Sequence, residues 1–237
     1  MAGALTGNDV RLTLPDARGH GASPMISGGA YPASELAADA LAVLDAEGLT
    51  ETHVAAVGWG AVGALGLAAT APERVASLVL AAPYVPGLFT DHATAQLRGE
   101  HGRHLAMLQD AATASAKGQT DRALDLFLGD RSGEGWRDQL PKPRAGAIRR
   151  SAGNLAPLLA GLAADSLSQD ALGRIGAPTT ILVSEQASAL DRDMVERLAS
   201  LLSRASIERI LIDDDLPSPQ GSEWLPALAR ALAKHCG

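Results

Sequence analysis

One cysteine occurs in 237 residues, Cys236, next to the C-terminus. A single thiol excludes an intrachain disulfide framework and a cysteine-built metal site. It also fits a reducing compartment, so the cytoplasm is the expected location. Aromatic residues make up 3% of the chain, which leaves Ala, Leu and Val to build the core. No apolar run reaches the ~18 residues that a membrane span needs. No basic segment followed by an apolar one opens the chain, so no secretory leader is expected. Lys/Arg blocks are absent and the net charge is −7. Nucleic acid and membrane surfaces are therefore not expected as partners. Nothing in the composition asks for a cofactor or a metal, and neither is expected.

What is present is ordinary for a globular domain: 46% hydrophobic and 20% charged residues. Val10 to Leu14 alternates and is β-rich, so it reads as a strand. Residues 34–47 place Leu36, Ala37, Ala40, Leu41 and Leu44 at helical spacing, with Ser34 as N-cap and Gly48 as C-cap. A strand over 53–57, a helix over 61–71 and a strand over 75–82 make a βαβ unit, which predicts parallel strands. From Tyr84 to about Asp170 strand patterns vanish. Helices are expected over 92–117, 120–128, 143–152 and 155–164, with a polar loop at 129–143 around Trp136. Strand and helix patterns then resume: a strand at 179–184, a helix at 192–203, a strand at 207–212 and a helix at 223–235. The expected organisation is an α/β core over 1–83 and 171–237, interrupted by a helical insertion over 84–170.

Several strings carry a family resemblance. Leu14-Pro15-Asp16-Ala17-Arg18-Gly19-His20-Gly21-Ala22-Ser23 is similar to the Pro-Asp-x-Arg-Gly-His-Gly-x-Ser signature of the α/β-hydrolase superfamily. Pro72-Glu73-Arg74-Val75 resembles that family's Pro-Glu-Arg-Val. Ala177 to Glu185 resembles its Val-Pro-Thr-Leu-x-Leu-x-Gly-Glu strand. The resemblance covers nearly the whole chain. It implies a mostly parallel sheet flanked by helices, with residues 84–170 as a helical cap and esterase- or lipase-like relatives.

The same alignment empties the family's catalytic positions. Its nucleophile turn reads Gly-x-Ser-x-Gly, with serine at the apex. Here the turn reads Ala56-Val57-Gly58-Trp59-Gly60, and Gly58 stands at the apex. A shift of two residues puts Gly60 there, which is no nucleophile either. Ala187 falls on the acid position and Asp215 on the histidine. The family's first strands, one of which leads into an oxyanion-hole loop, have no counterpart before Val10. On this reading the sheet closes over the gap, borrows a strand from a partner or stays incomplete. Otherwise the chain as given starts downstream of its natural beginning.

Candidate site residues follow from the same placement. Asp215, in the run Asp213-Asp214-Asp215, is the candidate acid–base group, because crowded carboxylates raise one another's pKa. The competing reading is a solvated turn. Trp59 supplies a flat apolar surface, and the resemblance makes its backbone N–H an oxyanion donor, so Trp59, Gly58 and Ser184 are the candidate ligand-binding residues. Ser184, Ser188 and Ser218 lie near strand ends and read as loop serines, with no histidine placed to activate them. His101 and His104, three apart beside Glu100, read as a solvent-facing polar patch rather than metal ligands. His20 and His53 read as structural.

Acyl transfer needs a nucleophile, a base, an acid and oxyanion donors. With all three triad positions substituted, the expected function is binding of a small apolar molecule between cap and core. The protein would act as a non-catalytic binder or guide a cyclisation, elimination or rearrangement without hydrolysis. The alternative is a serine ester hydrolase with relocated or partner-supplied residues. A homodimer or an active homologue completing the sheet is the partner that either reading admits.

Overall fold

Strand-forming stretches rich in Val, Ile, Leu and Ala come together as one sheet in the computed structural model. It describes residues 11–25, 29–85, 94–132, 135–138, 140–164, 167–211 and 224–236. The strands are β1 (Thr52–Val57), β2 (Val75–Ala81), β3 (Thr179–Ser184) and β4 (Ala205–Ile210). Among the described residues they form a four-stranded sheet in the order β1-β2-β3-β4, and every pairing is parallel. Parallel sheets are covered on both faces and read as continuous apolar runs. β3 obeys this, with all six residues buried.

The helices are α1 (Ala33–Ala46), α2 (Gly60–Thr70), α3 (Ala95–Ala116), α4 (Thr120–Ser132) and α5 (Lys142–Ser151). They continue with α6 (Leu155–Ala164), α7 (Gln169–Gly173), α8 (Ala189–Leu201) and α9 (Trp224–Cys236). Among the described residues, no helix is long and apolar enough to cross a membrane.

The chain divides into two compact units. The first comprises Met1–Leu14, Ala33–Phe89 and Leu167–Gly237, and holds the sheet. One sheet face is closed by α9, where Trp224, Ala227, Leu228 and Ala231 pack on Val79, Ala81, Leu182 and Ile210. Elsewhere in this unit α1 lies close against α2. A Cβ on Gly66 would stand 2.8 Å from the Ala33 carbonyl oxygen and 3.2 Å from Ala37 Cβ, so glycine is what permits the approach. Arg74 ties the chain between α1 and β1: its guanidinium donates to the Thr50 and Leu49 carbonyls and pairs with Asp45 at 2.8 Å. This is a physical role for the arginine of Pro72-Glu73-Arg74-Val75.

The second unit joins Pro15–Pro32 to Thr90–Ser166. Its core is Ala114, Ala123, Leu124, Trp136, Ala152 and Leu155. The indole N–H of Trp136 donates to Asp125 at 3.2 Å, so the residue expected in a polar loop is a core residue, 4% exposed. Asn154, 1% exposed, fastens the signature turn to the helices. Its side-chain amide donates to the Gly19 carbonyl at 2.6 Å and its oxygen accepts from the Tyr31 hydroxyl at 3.4 Å. The Tyr31 N–H donates to the Pro157 carbonyl at 2.8 Å, beside Gly161, where a Cβ would lie 2.2 Å from the Tyr31 oxygen.

Two further expectations are corrected. Residues 11–14 form no strand. Alternation gives only a local preference, whereas a strand needs a neighbour for its ladder. These residues pair with none of the four strands, and Leu14 is 55% exposed. Val10 lies outside the described residues, and among those residues no strand precedes β1. His101 is buried, not solvent-facing, because its position on α3 turns inward within the helical unit.

Candidate active-site turn

β1 ends at Val57, and the chain reverses into α2 within two residues. Gly58 carries φ +56°, in the left-handed region, where an L side chain costs about 1–2 kcal/mol. Its N–H donates to the Ala81 carbonyl at 3.0 Å, while its carbonyl accepts from Tyr84 N–H at 2.9 Å and Ala61 N–H at 3.2 Å. The turn is therefore bound on both sides to the end of β2. A Cβ built on Gly58 meets nothing within 4 Å. Glycine here is not imposed by crowding; the space for a side chain is open.

Trp59 follows in helical conformation at the start of α2. Its ring lies 5.4 Å from that of Tyr84 at 53°, a tilted aromatic pair. Tyr84 is 6% exposed and Trp59 is partly exposed. Ala82, between β2 and Tyr84, has φ +42°, a left-handed conformation that non-glycine residues seldom adopt. That kink helps return Tyr84 N–H to the Gly58 carbonyl.

The parallel register puts the carboxyl ends of all strands on one side, where ligand sites of open α/β sheets gather. Ser184 stands there at the end of β3, 3% exposed, with its hydroxyl oxygen accepting from Gln186 N–H at 3.0 Å. Ala187, 7% exposed, donates its N–H to the Ser184 carbonyl at 3.1 Å. Ser188 caps α8: its oxygen accepts from Asp191 N–H at 3.0 Å and its hydroxyl donates to the Asp191 carboxylate at 2.9 Å. The end of β3 is thus laced by local turn and cap bonds. Gly58, Trp59, Ser184 and Ala187 share one end of the sheet, on strands separated by β2. Asp215, with the run from Asp213 and Ser218, lies outside the described residues.

The other histidines of the sequence reading fall elsewhere. His20 Nδ1 lies 3.1 Å from the Arg18 carbonyl within its own turn. His53 sits toward the amino end of β1, with Nδ1 2.8 Å from Ser77 Oγ. Among the described residues no group of three or more His, Cys, Asp or Glu could hold a metal.

Sequence reasoning did not find Tyr84 or Ala82. Pro83 was the available signal, since it marks the strand end after which Tyr84 turns back. No pattern rule requires a left-handed alanine there.

With this geometry in place, comparison with known proteins is informative. The model of the alpha/beta hydrolase fold family matches residues 1–216, and the chain belongs to that family. A search of curated proteins finds no match. Among solved structures, an esterase from Exiguobacterium antarcticum is 16% identical with a TM-score of 0.65, over 93% of this chain and 79% of that one. An alpha/beta hydrolase from Sphaerobacter thermophilus is 18% identical with a TM-score of 0.63, over 94% and 80%. The enol-lactonase from Burkholderia xenovorans is 16% identical with a TM-score of 0.59, over 93% and 76%. At such identities the likeness is one of fold.

Proposed function

We propose that this member of the alpha/beta hydrolase fold family does not hydrolyse esters by a serine route, and instead binds a small, largely apolar molecule at the carboxyl ends of β1 and β3. The observation that carries the reading is Gly58: the nucleophile turn keeps its backbone, φ +56°, but has no side chain at its apex. A triad stripped of its serine loses about six orders of magnitude in turnover. Ser184 and Ser188 accept local backbone N–H bonds, and the Ser188 hydroxyl donates to the Asp191 carboxylate.

Trp59, partly exposed and backed by the buried ring of Tyr84, supplies an apolar surface for such a ligand. Ala61 and Val62 N–H already donate to the Gly58 and Trp59 carbonyls, so a carbonyl oxygen of the ligand would be received by the backbone N–H of Trp59. Asp215 is the group through which the protein would move a proton if the bound molecule cyclises, eliminates or rearranges. In that role it takes a proton from one carbon or oxygen of the ligand and returns it to another, without adding water.

The test treats purified protein with a fluorophosphonate probe and a panel of short-chain aryl esters. A native mass-spectrometric screen of apolar small molecules runs alongside. The expected outcome is no adduct, no turnover above buffer, and retained ligand that Trp59→Ala weakens. A stoichiometric serine adduct would sink the reading, as would turnover that one Ser→Ala change abolishes.

A further inference from the structure

We infer that the last turn of α9 is latched to the sheet by His235, and that mild acid opens the latch. The inference rests on a polar cluster at the amino end of the sheet, independent of the Gly58 turn. His235 Nε2 lies 3.0 Å from Thr180 Oγ1 on β3. His53 Nδ1 lies 2.8 Å from Ser77 Oγ on β2. Register sets His53 beside Ser77 and Thr180 beside Val79. Ser77 and Thr180 stand two residues before Val79 and Leu182 on their strands, and so share the face packed on α9. Both hydroxyls are buried, Ser77 at 1% and Thr180 at 5% exposure.

The chemistry of a buried hydroxyl makes this contact conditional. Its hydrogen needs an acceptor, and among the described residues the ring nitrogen is the side-chain partner each hydroxyl has. A neutral imidazole offers one nitrogen lone pair; an imidazolium offers none, because both nitrogens carry hydrogen. In the tautomer that leaves Nε2 unprotonated, Nε2 accepts from the Thr180 hydroxyl; protonating His235 then makes Nε2 a donor and leaves the hydroxyl hydrogen orphaned in a buried place. It also sets a new cation close to Lys234 and His53.

The charged and titratable groups around His235 can be named by element. β1 contributes His53. β4 contributes Glu208, which is held by Lys234 at 2.6 Å and so is already matched to a cation. β2 and β3 carry no titratable side chain over 75–81 and 179–184. The favourable pull of the helix C-terminus on a cation opposes the latch opening. Burial, then His53, then Lys234 nevertheless hold His235 below its ordinary value of 6.5. A histidine depressed in the folded state takes up its proton more readily when released. The latch therefore contributes its stability above about pH 6.5, and that stability is lost as pH falls.

Hydrogen exchange of the full chain, followed by mass spectrometry from pH 7.5 to pH 5.5 and corrected for intrinsic rate, tests this. The expected result is protection of 224–236 that falls by up to about tenfold per pH unit below 6.5, as one-proton linkage allows, with helices over 95–164 unchanged. His235→Gln should abolish that dependence, and Thr180→Val should weaken it by removing the orphaned donor. Flat protection of α9 across this range would overturn the inference, as would an undiminished dependence in His235→Gln. Should that variant fail to fold, the ring titration of His235 in the unmodified chain by NMR decides instead. A midpoint below 6.5 supports the latch and one at or above 6.5 refutes it.

Discussion

The backbone N–H of Tyr84 donates to the carbonyl of Gly58 at 2.9 Å, joining the turn after β1 to the chain that leaves β2. Gly58 N–H donates in turn to the Ala81 carbonyl at 3.0 Å. The turn is thus set by main-chain bonds that no side-chain substitution at residue 58 removes. The shape of the turn therefore does not depend on the side chain at its apex.

Gly58→Ser is expected to fold. Its Cβ meets nothing within 4 Å, so the cost is the left-handed backbone alone, about 1–2 kcal/mol. In a chain of this length that lowers Tm by a few degrees. No ester turnover should appear, because serine without a base is a weak nucleophile. Thermal melts and aryl-ester assays check both halves, and a loss well beyond 3 kcal/mol would show the space to be closed.

Ala82→Val should destabilise by about 2 kcal/mol, since a β-branched residue resists the φ of +42° more than alanine does. Ala82→Gly should be neutral or stabilising by up to about 1 kcal/mol, as relief of strain outweighs glycine's entropy. Urea unfolding curves with unchanged slopes would separate the two.

Gly66→Ala should cost about 1–3 kcal/mol, because the added methyl meets the Ala33 carbonyl oxygen at 2.8 Å and Ala37 at 3.2 Å. Gly60→Ala, whose Cβ has its nearest contact at 3.8 Å, should be harmless or mildly stabilising. Similar melting temperatures for the two variants would refute the tight α1–α2 contact.

Asn154→Leu should loosen the turn over 16–23 within the helical unit. It removes the donor to the Gly19 carbonyl and the acceptor for Tyr31, and a buried orphan costs about 1–3 kcal/mol. Faster amide exchange at residues 17–23 is the expected sign.

The β1–α2–β2 unit could be read directly, since β-rich runs and an apolar helix over 61–71 are local signals. β3 was equally plain, being six consecutive buried residues. Residues 11–14 misled, because the alternation that marks a strand says nothing about whether a neighbour exists to pair with it. His101 misled because two histidines among charges look solvated in sequence, while the facing of a long helix depends on what packs against it. At the candidate site the sharp turn after β1 was legible, and Gly58 takes it with φ +56°. The Trp59–Tyr84 pair was not, since it joins residues 25 apart through a left-handed alanine that no propensity favours.

The chain carries three tryptophans, and they are distributed one to a structural task. Trp136 is buried among the helices of the second unit, Trp224 is buried where the first turn of α9 meets the sheet, and Trp59 stands partly exposed at the Gly58 turn. Aromatic scarcity thereby gives the molecule one optical reporter for each of three local environments. Single-tryptophan variants would let the melting of the helical unit, the seating of the C-terminal helix and the arrival of a ligand be followed as three independent signals.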